Sequence, residues 1–234
     1  WRRLEQCRGA AQRLDDSWRQ SPLLAVADRP LAPHGQRLAL QGVTFGYRAD
    51  LPPVLAHFSL QIDAGERIAV VGPSGAGKST LAMLLMRQLD PDAGTVQLSG
   101  VDLRQLDPDA LRRHIGLLAQ RPVLFRDTLA ENLRIARPGA SDGELMHALE
   151  IAGLGGFVAG LEHGLDTWID EAGSNLSGGE ARRVSLARLA LTDCPVVILD
   201  EPTTGLDAAT AQGLAQTLDR WLQGRTAVMI THDP

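Results

Sequence analysis

One segment, residues 72–79, constrains the fold more than any other part of the chain. It fits the pattern G-x-x-x-x-G-K-[ST] at every fixed position. An apolar run at 68–71 precedes it, and a helical pattern at 81–85 follows it. Because this pattern binds phosphate where it joins a strand to a helix, both flanks support that interpretation over a glycine-rich turn that binds nothing. The segment therefore predicts a nucleoside triphosphate-binding fold.

The residue types of this loop predict its chemistry. Its glycines let backbone N–H groups converge on phosphate oxygens, and the following helix directs the positive end of its dipole toward them. Lys78 is expected to reach the β- and γ-phosphates, and the Ser79 hydroxyl to bind Mg²⁺. The candidate nucleotide contacts are Gly72, Pro73, Ser74, Gly75, Ala76, Gly77, Lys78, Ser79 and Thr80.

Composition narrows the class of protein. The 234 residues carry a net charge of −5, which argues against a general nucleic-acid-binding surface. Cys7 and Cys194 are far apart and lack metal-ligand spacing, so we interpret them as cytosolic thiols. No apolar run approaches the ~20 residues that span a bilayer, and no signal peptide is recognisable. The start at Trp1 and the end at Pro234 lead us to expect a piece of a longer protein.

Hydrophobic patterning predicts an α/β domain over residues 37–234. Strands are expected at 38–45, 56–62, 67–71, 95–98, 115–118, 196–199 and 227–230. Helical patterns alternate with them, as in a sheet with parallel central strands. Between about 128 and 190 strand signals nearly vanish, and Ser141 and Glu144 match a capping box for a helix that ends at Ala152. We expect this stretch to be an inserted helical subdomain.

The first 36 residues follow another pattern. Apolar residues at helical spacing predict an amphipathic helix over 1–18, and Pro22, Pro30 and Pro33 predict a linker after it. The helix either packs on its own domain or continues a longer helix from a missing N-terminal domain, and the pattern leaves both interpretations open.

Two carboxylates form a second group of candidates. Asp200 and Glu201 follow the apolar run 196–199. In nucleotide hydrolases such a strand lies beside the phosphate loop with its first acid near Mg²⁺, so Asp200 is the expected metal-side carboxylate. Glu201 is then placed to polarise a water for in-line attack on the γ-phosphate. A solvated strand end would look the same in isolation; the phosphate loop favours the catalytic interpretation.

The sequence Leu176-Ser177-Gly178-Gly179-Glu180 adds a second anion-binding helix start. Ser177 and Glu180 match a capping box, and the free N–H groups of that first turn can bind an anion. One site does not need two helix N-termini this far apart in sequence, whereas two facing subunits do. A plain capped helix would account for Ser177 and Glu180 but not for Gly178 and Gly179.

At this point the chain resembles the ATP-binding cassette (ABC) family, over nearly everything after Leu38. The residues that carry the resemblance occur in the family's order and approximate spacing: the loop 72–79, Gln120, the segment 176–180, Asp200, Glu201, Asp207 and His232. The implied fold is an ABC-type P-loop nucleotide-binding domain with an antiparallel β subdomain, a mixed core sheet and an inserted α-helical signature subdomain. The implied cofactors are ATP and Mg²⁺.

The resemblance also implies individual roles. Tyr47 would stack on adenine, Gln120 would sense Mg²⁺ and the attacking water, and His232 would hold the γ-phosphate. Residues 176–180 would contact the γ-phosphate of a partner's ATP, and Asp207 would lie in the loop that crosses the dimer interface. Two positions depart from the family: Glu180 replaces the usual Gln, and residues 204–207 read Thr-Gly-Leu-Asp instead of Ser-Ala-Leu-Asp. We expect that neither abolishes activity.

Further segments resemble exporters. Residues 125–133 resemble the segment after the glutamine loop, 170–173 resemble the acidic loop that touches the membrane domain, and 1–18 fit the run-out of a final membrane helix. Residues 170–183 and 197–209 look most like the CydC-type subunit of bacterial heterodimeric thiol exporters. That resemblance implies export of glutathione or cysteine in support of cytochrome bd assembly.

The same resemblance implies partners and a location. The expected partners are the chain's own transmembrane domain and a second half-transporter subunit, in a heterodimer or else a homodimer, at the cytoplasmic face of the bacterial inner membrane. No nucleic-acid partner is expected. The alternatives are another exporter of lipids, drugs or peptides, the ATPase of an importer, and a cassette ATPase outside transport. The short spacing between Gln120 and Leu176 argues against DNA-repair members, which carry a long coiled coil there.

Overall fold

A four-stranded parallel sheet lies at the centre of residues 24–232, the part of the chain that the computed structural model describes. The predicted helix over 1–18 lies outside the described residues. Neighbouring strands of this sheet all pair in parallel, so their carboxyl ends meet at one edge. In spatial order the strands are β3 (Arg67–Val71), β10 (Thr226–Thr231), β9 (Val196–Asp200) and β6 (Ile115–Leu118).

An antiparallel sheet forms a second layer. Its strands in spatial order are β2 (Leu55–Ile62), β1 (Leu38–Phe45), β4 (Ala93–Leu98) and β5 (Val101–Asp102). Leu38 of β1 is paired with Ile62 on one side and with Leu98 on the other, and all three are buried. The alternation of buried and exposed residues along β1 therefore fixes which face of this sheet meets the core.

Helices connect and cover the strands. They are α1 (Lys78–Leu85), α2 (Pro108–His114), α3 (Leu129–Arg134), α4 (Asp142–Ile151), α5 (Gly155–Ala159), α6 (Gly178–Thr192) and α7 (Ala208–Trp221). A short antiparallel ribbon of β7 (Asp127–Thr128) and β8 (Trp168–Ile169) lies among α3 to α6, together with 3₁₀ turns at Gly164–Asp166 and Glu171–Gly173; another 3₁₀ turn, Leu103–Gln105, follows β5. Within residues 24–232 no helix is both long and apolar enough to cross a membrane.

The parallel sheet separates two hydrophobic cores. Val196 and Ile198 of β9 face the core shared with α1 and the antiparallel sheet, whereas Val197 and Leu199 face the core shared with α3, α4, α6 and α7. Because β9 is covered on both faces, its side chains are apolar without alternation, as is typical of a central parallel strand.

The structure confirms the predicted fold class, and most strands lie where the patterns place them. β1, β3 and β6 have the predicted bounds, and Ser141 and Glu144 form the predicted capping box. Parallel and antiparallel pairs do not mix within the described core sheet; they are divided between the two sheets. The sequence does not predict β5, β7 and β8, because two residues are too few to show a period.

Gly116 lets α6 pack closely on β6, and this packing gives a test. A Cβ added to Gly116 would lie 2.3 Å from Leu189 Cδ1 and 2.4 Å from Cys194 Sγ. We expect Gly116→Ala to lower the free energy of unfolding by about 1–3 kcal/mol, because the overpacked core must shift. Chemical denaturation measures it. In the control, Gly143→Ala on α4, the added methyl meets open space, so stability should hold or rise. Equal stability of the two variants would contradict the packing.

Candidate nucleotide-binding site

The carboxyl edge of the parallel sheet brings most of the predicted residues into one cleft. The phosphate loop follows β3, His232 follows β10, Glu201 follows β9, and Gln120 lies two residues beyond β6. Ligands of open α/β sheets bind at this edge. The cleft has a volume of about 670 Å³ and is lined by Tyr47, Val54, Ser74, Gly75, Gly77, Lys78, Ser79, Thr80, Gln120, Asp200, Glu201, Ile230 and His232.

The phosphate loop has a backbone that requires glycine. Gly75 and Gly77 have φ of 82° and 87°, in the left-handed region, and a Cβ on Gly77 would lie 2.9 Å from Val54 Cγ1. Gly77 caps α1 without a side-chain hydrogen bond, so the first-turn N–H groups of this helix are available to an anion. Lys78 Nζ donates to the carbonyl oxygens of Gly72 (2.5 Å) and Pro73 (2.9 Å), which hold the ammonium against the loop. Backbone donors and a cation are therefore arranged for phosphate.

Tyr47 lies at the side of the cleft next to α1. Its hydroxyl is 3.0 Å from Thr80 Oγ1, and its ring stands edge-on to Phe45 at 5.1 Å between centroids. The side chain is nevertheless 59% exposed, which leaves apolar ring surface open to a flat ligand. This position fits the predicted stacking on adenine.

Glu201 lies at the centre of a hydrogen-bonded group. Gln120 Nε2 donates to Glu201 Oε2 at 2.6 Å, and His232 Nδ1 is 3.1 Å from Glu201 Oε1. Glu201 has a φ of 47°, a left-handed conformation that costs a non-glycine residue about 1–2 kcal/mol. Its backbone N–H donates to Ile230 O of β10 at 2.9 Å, which ties the strained residue to the sheet.

Asp200 and Ser79 are the predicted metal ligands of the cleft, with Gln120. Burial raises the pKa of the Asp200 carboxyl, the adjacent Glu201 charge raises it further, and Lys78 acts in the opposite direction. A cation at this position would offset the like charges. Across residues 24–232 no three His, Cys, Asp or Glu side chains cluster as a metal site. The donors present are oxygens, which fit Mg²⁺ that takes its other ligands from water and phosphate.

The remaining predicted contacts lie outside this cleft. The capping box of α6 is formed, with Ser177 N–H donating to Glu180 Oε2 at 2.8 Å and Glu180 N–H to Ser177 Oγ at 3.2 Å. Asp207 caps α7 by accepting from the N–H groups of Ala209 and Thr210, and the bond to Thr210 is the main cause of its lowered pKa. The two helix starts adjoin each other, with Ser177, Gly178, Gly179, Glu180 and Asp207 on them. Their contact with the ATP of a second chain stays a prediction.

The sequence pattern does not predict the role of Arg182. This residue on α6 is 7% exposed, and its guanidinium donates to Gln120 O at 2.6 Å and to Pro202 O and Thr204 O at 2.8 Å each. The one signal in the sequence is a charged residue on the face of α6 that packs inward, between Ala181 and Val184.

A family model described as ABC transporter matches residues 55–204. The "Beta-(1-->2)glucan export ATP-binding/permease protein NdvA" of Nitrobacter winogradskyi is 43% identical over 212 residues, which cover 89% of this chain and 35% of that protein. The "ATP-dependent lipid A-core flippase" of Neisseria meningitidis is 40% identical over 196 residues, which cover 84% of this chain and 32% of that protein.

A solved structure is similar as well. The structure of a bacterial Atm1-family ABC exporter with ATP bound superposes with a TM-score of 0.86 at 37% sequence identity and covers 94% of this chain and 38% of that one. The chain spans about a third of the length of the curated relatives named above.

The left-handed backbone of Glu201 gives a stability test that does not depend on catalysis. Glu201→Ala and Glu201→Gly both remove the carboxylate, but only glycine adopts a φ of 47° without strain. We expect the glycine variant to be more stable than the alanine variant by about 0.5–1 kcal/mol. Glycine avoids the cost of the left-handed backbone, but part of that gain is lost because glycine has more conformational freedom in the unfolded chain. Thermal unfolding without nucleotide measures the difference. At the exposed turn residue Glu162 the order should reverse, and the same order at both positions would contradict the strain.

Proposed function

Because the chain belongs to the ABC transporter family as an ATPase domain, we propose that it is the motor domain of an exporter, which binds and hydrolyses ATP. The observation that carries this proposal is the position of Glu201. Its carboxylate is held by Gln120 and His232 beside the phosphate loop, where an attacking water would be polarised. The chain retains each residue type that the reaction requires.

The proposed mechanism assigns separate tasks to the residues of the cleft. Tyr47 stacks on the adenine, and the loop N–H groups and Lys78 hold the β- and γ-phosphates. Ser79, Asp200 and Gln120 would hold Mg²⁺, which neutralises charge on the phosphate oxygens. Glu201 accepts a hydrogen bond from the water and orients it in line with the bond that breaks. Positioning and charge stabilisation thus supply most of the catalysis.

His232 and Gln120 have a second task in this scheme. Each engages one oxygen of Glu201, and a carboxylate has lone pairs left for water. His232 is then also placed to donate a hydrogen bond to the γ-phosphate, whose oxygens carry negative charge throughout the reaction. The two side chains therefore hold the base in position.

We further propose that two such domains close around ATP. The adjoining starts of α6 and α7 lie outside the chain's own cleft, and the capping box of α6 leaves the first-turn N–H groups of Gly178 and Gly179 for an anion, so a second chain would bring its copy to the nucleotide. Asp207 would lie at this interface. We propose that the partner is a second half-transporter subunit. The CydC-type resemblance favours a heterodimer, and the alternative is a homodimer.

An exposed groove with both apolar and charged walls supports a transmembrane partner. It has a volume of about 430 Å³, and Phe125 and Ile135 in its wall are each more than half exposed. Arg188 of α6 lies 5.9 Å from the centre of the Phe125 ring and ties α6 to α3 by donating to Asn132 O and Asn132 Oδ1 at 2.6 Å each; burial lowers the pKa of Arg188 to about 10. We propose that a cytoplasmic helix of the membrane domain packs here, which places the chain at the cytoplasmic face of a bacterial inner membrane.

Two cargo classes are consistent with different observations. The CydC-like segments 170–183 and 197–209 favour a thiol such as glutathione or cysteine. The relatives, a glucan exporter and lipid A-core flippases, favour a glycan or glycolipid. The comparisons do not favour the thiol, which rests on the sequence resemblance alone.

Removing the charge of Glu201 tests the enzymatic proposal. We expect Glu201→Gln to lower steady-state phosphate release at least 100-fold while ATP stays bound, because an amide cannot accept the water's proton. Phosphate release and retained nucleotide are measured in the complete protein with its partner. The same change at the exposed Glu162, outside the cleft, should leave turnover within twofold. Undiminished phosphate release by Glu201→Gln would count decisively against the assignment.

Stimulation by cargo separates the two classes. In the complete protein, reconstituted in lipid vesicles, a thiol cargo predicts that glutathione or cysteine raises ATP turnover severalfold, because bound cargo favours the closed state. A lipid A-type glycolipid should then have no effect. Stimulation by the glycolipid alone would replace the thiol with the glycolipid, and stimulation by neither would contradict both of these cargoes.

A further inference from the structure

Arg182 joins two backbone segments that carry the reacting side chains. Its Nη2 donates to Gln120 O at 2.6 Å, and its Nη1 donates to Pro202 O and Thr204 O at 2.8 Å each. A weaker contact of 3.4 Å reaches Glu201 O. One guanidinium therefore spans the segment after β6 and the segment after β9, directly beneath the side chains that face the cleft.

These two segments must keep a fixed separation for the cleft to work. The Gln120 and Glu201 side chains are hydrogen-bonded at 2.6 Å although the residues are 81 positions apart. Glu201 is also held in a left-handed conformation, and such backbone persists only where its surroundings over-determine it. Arg182 bonds to the backbone of both segments.

Stability alone does not explain this arrangement. Burial lowers the pKa of Arg182 although the Glu201 charge raises it, and within residues 24–232 the buried Arg182 Nε has no hydrogen-bond partner. A buried cation with an unsatisfied donor destabilises a fold. An apolar side chain of similar volume would avoid that cost, so we look for the function of the arginine in the carbonyl oxygens that its other nitrogens bind.

We propose that Arg182 is a positioning residue for ATP hydrolysis, which holds Gln120 and Glu201 in register through their backbones; this inference rests on the proposed function. It touches neither phosphate nor water and acts through Glu201. Its planar fork suits the task because the two nitrogens point to different segments, whereas a lysine ammonium presents all its donors at one point.

Arg183 offers a matched control on the same helix. It is also partly buried, and burial lowers its pKa too. It donates to Ala152 O at 2.8 Å and Thr217 Oγ1 at 3.3 Å, in the core between α4, α6 and α7. It does not line the cleft. A change at Arg183 therefore removes partly buried hydrogen bonds of the same helix without touching the segments of Gln120 and Glu201.

The first test separates turnover from binding. In the complete protein, Arg182→Gln should lower kcat at least 20-fold while the Kd of a non-hydrolysable ATP analogue changes less than threefold. Arg182→Lys should fall between this variant and the wild type. Arg183→Gln should keep kcat within twofold at a temperature where thermal unfolding shows each variant folded. If Arg182→Gln does not fold, Arg182→Lys carries the test with a loss of at least fivefold in kcat at unchanged affinity.

A double-mutant cycle on kcat tests whether Arg182 acts through the Gln120–Glu201 pair. Gln120→Ala should lower kcat by the same factor in the wild type and in Arg183→Gln. In Arg182→Gln, where the pair is already out of register, adding Gln120→Ala should lower kcat by less than a further twofold. Full additivity with Arg182, or normal turnover of the folded Arg182 variants beside an active wild type, would overturn this inference alone. Absence of turnover in the wild type would overturn the proposed function and the inference with it.

Discussion

The parallel pairing of β3, β10, β9 and β6 is the constraint on which the rest of the structure depends. Val71 is paired with Thr231, and Ile230 with Asp200, so the residues that follow these strands emerge side by side. The pairing of Leu118 with Leu199 brings the segment of Gln120 to the same edge. A shift of one residue in any pair would exchange the two faces of that strand between the cores and displace its contribution to the cleft.

The cleft concentrates features that cost folding free energy. Glu201 has a left-handed φ, and the pKa of Asp200 is raised by burial and by the neighbouring carboxylate. Beside the cleft, the buried Nε of Arg182 has no hydrogen-bond partner within residues 24–232. Elsewhere the two cores are made of tightly packed aliphatic side chains, which supply the stability that the cleft forgoes. The like charges of Asp200 and Glu201 thus lie where a cation would offset them.

Local sequence patterns predict local features well. Contacts between residues far apart in the sequence could be predicted only from the family resemblance. The strand, loop and helix around Lys78 are contiguous, so periodicity and glycine spacing are sufficient to predict them. The bonds of Glu201 to Gln120 and His232 join segments whose proximity depends on sheet order, and no local pattern reports that order. Arg182 is harder still, because its partners are backbone carbonyls, which leave no trace in residue type.

Helix capping explains the identity of some residues in the segment 176–180 but not of all of them. Ser177 and Glu180 satisfy each other at the start of α6, so their identities do not by themselves require a ligand. Gly179 is explained within the chain too, since its Cβ would lie 2.6 Å from Thr210 Cγ2. Gly178 differs: a Cβ there would meet only Leu206 at 3.9 Å, an ordinary contact, and its φ is not left-handed. Since a glycine weakens a helix, its place here favours close approach from outside the chain, as a partner's phosphate would require.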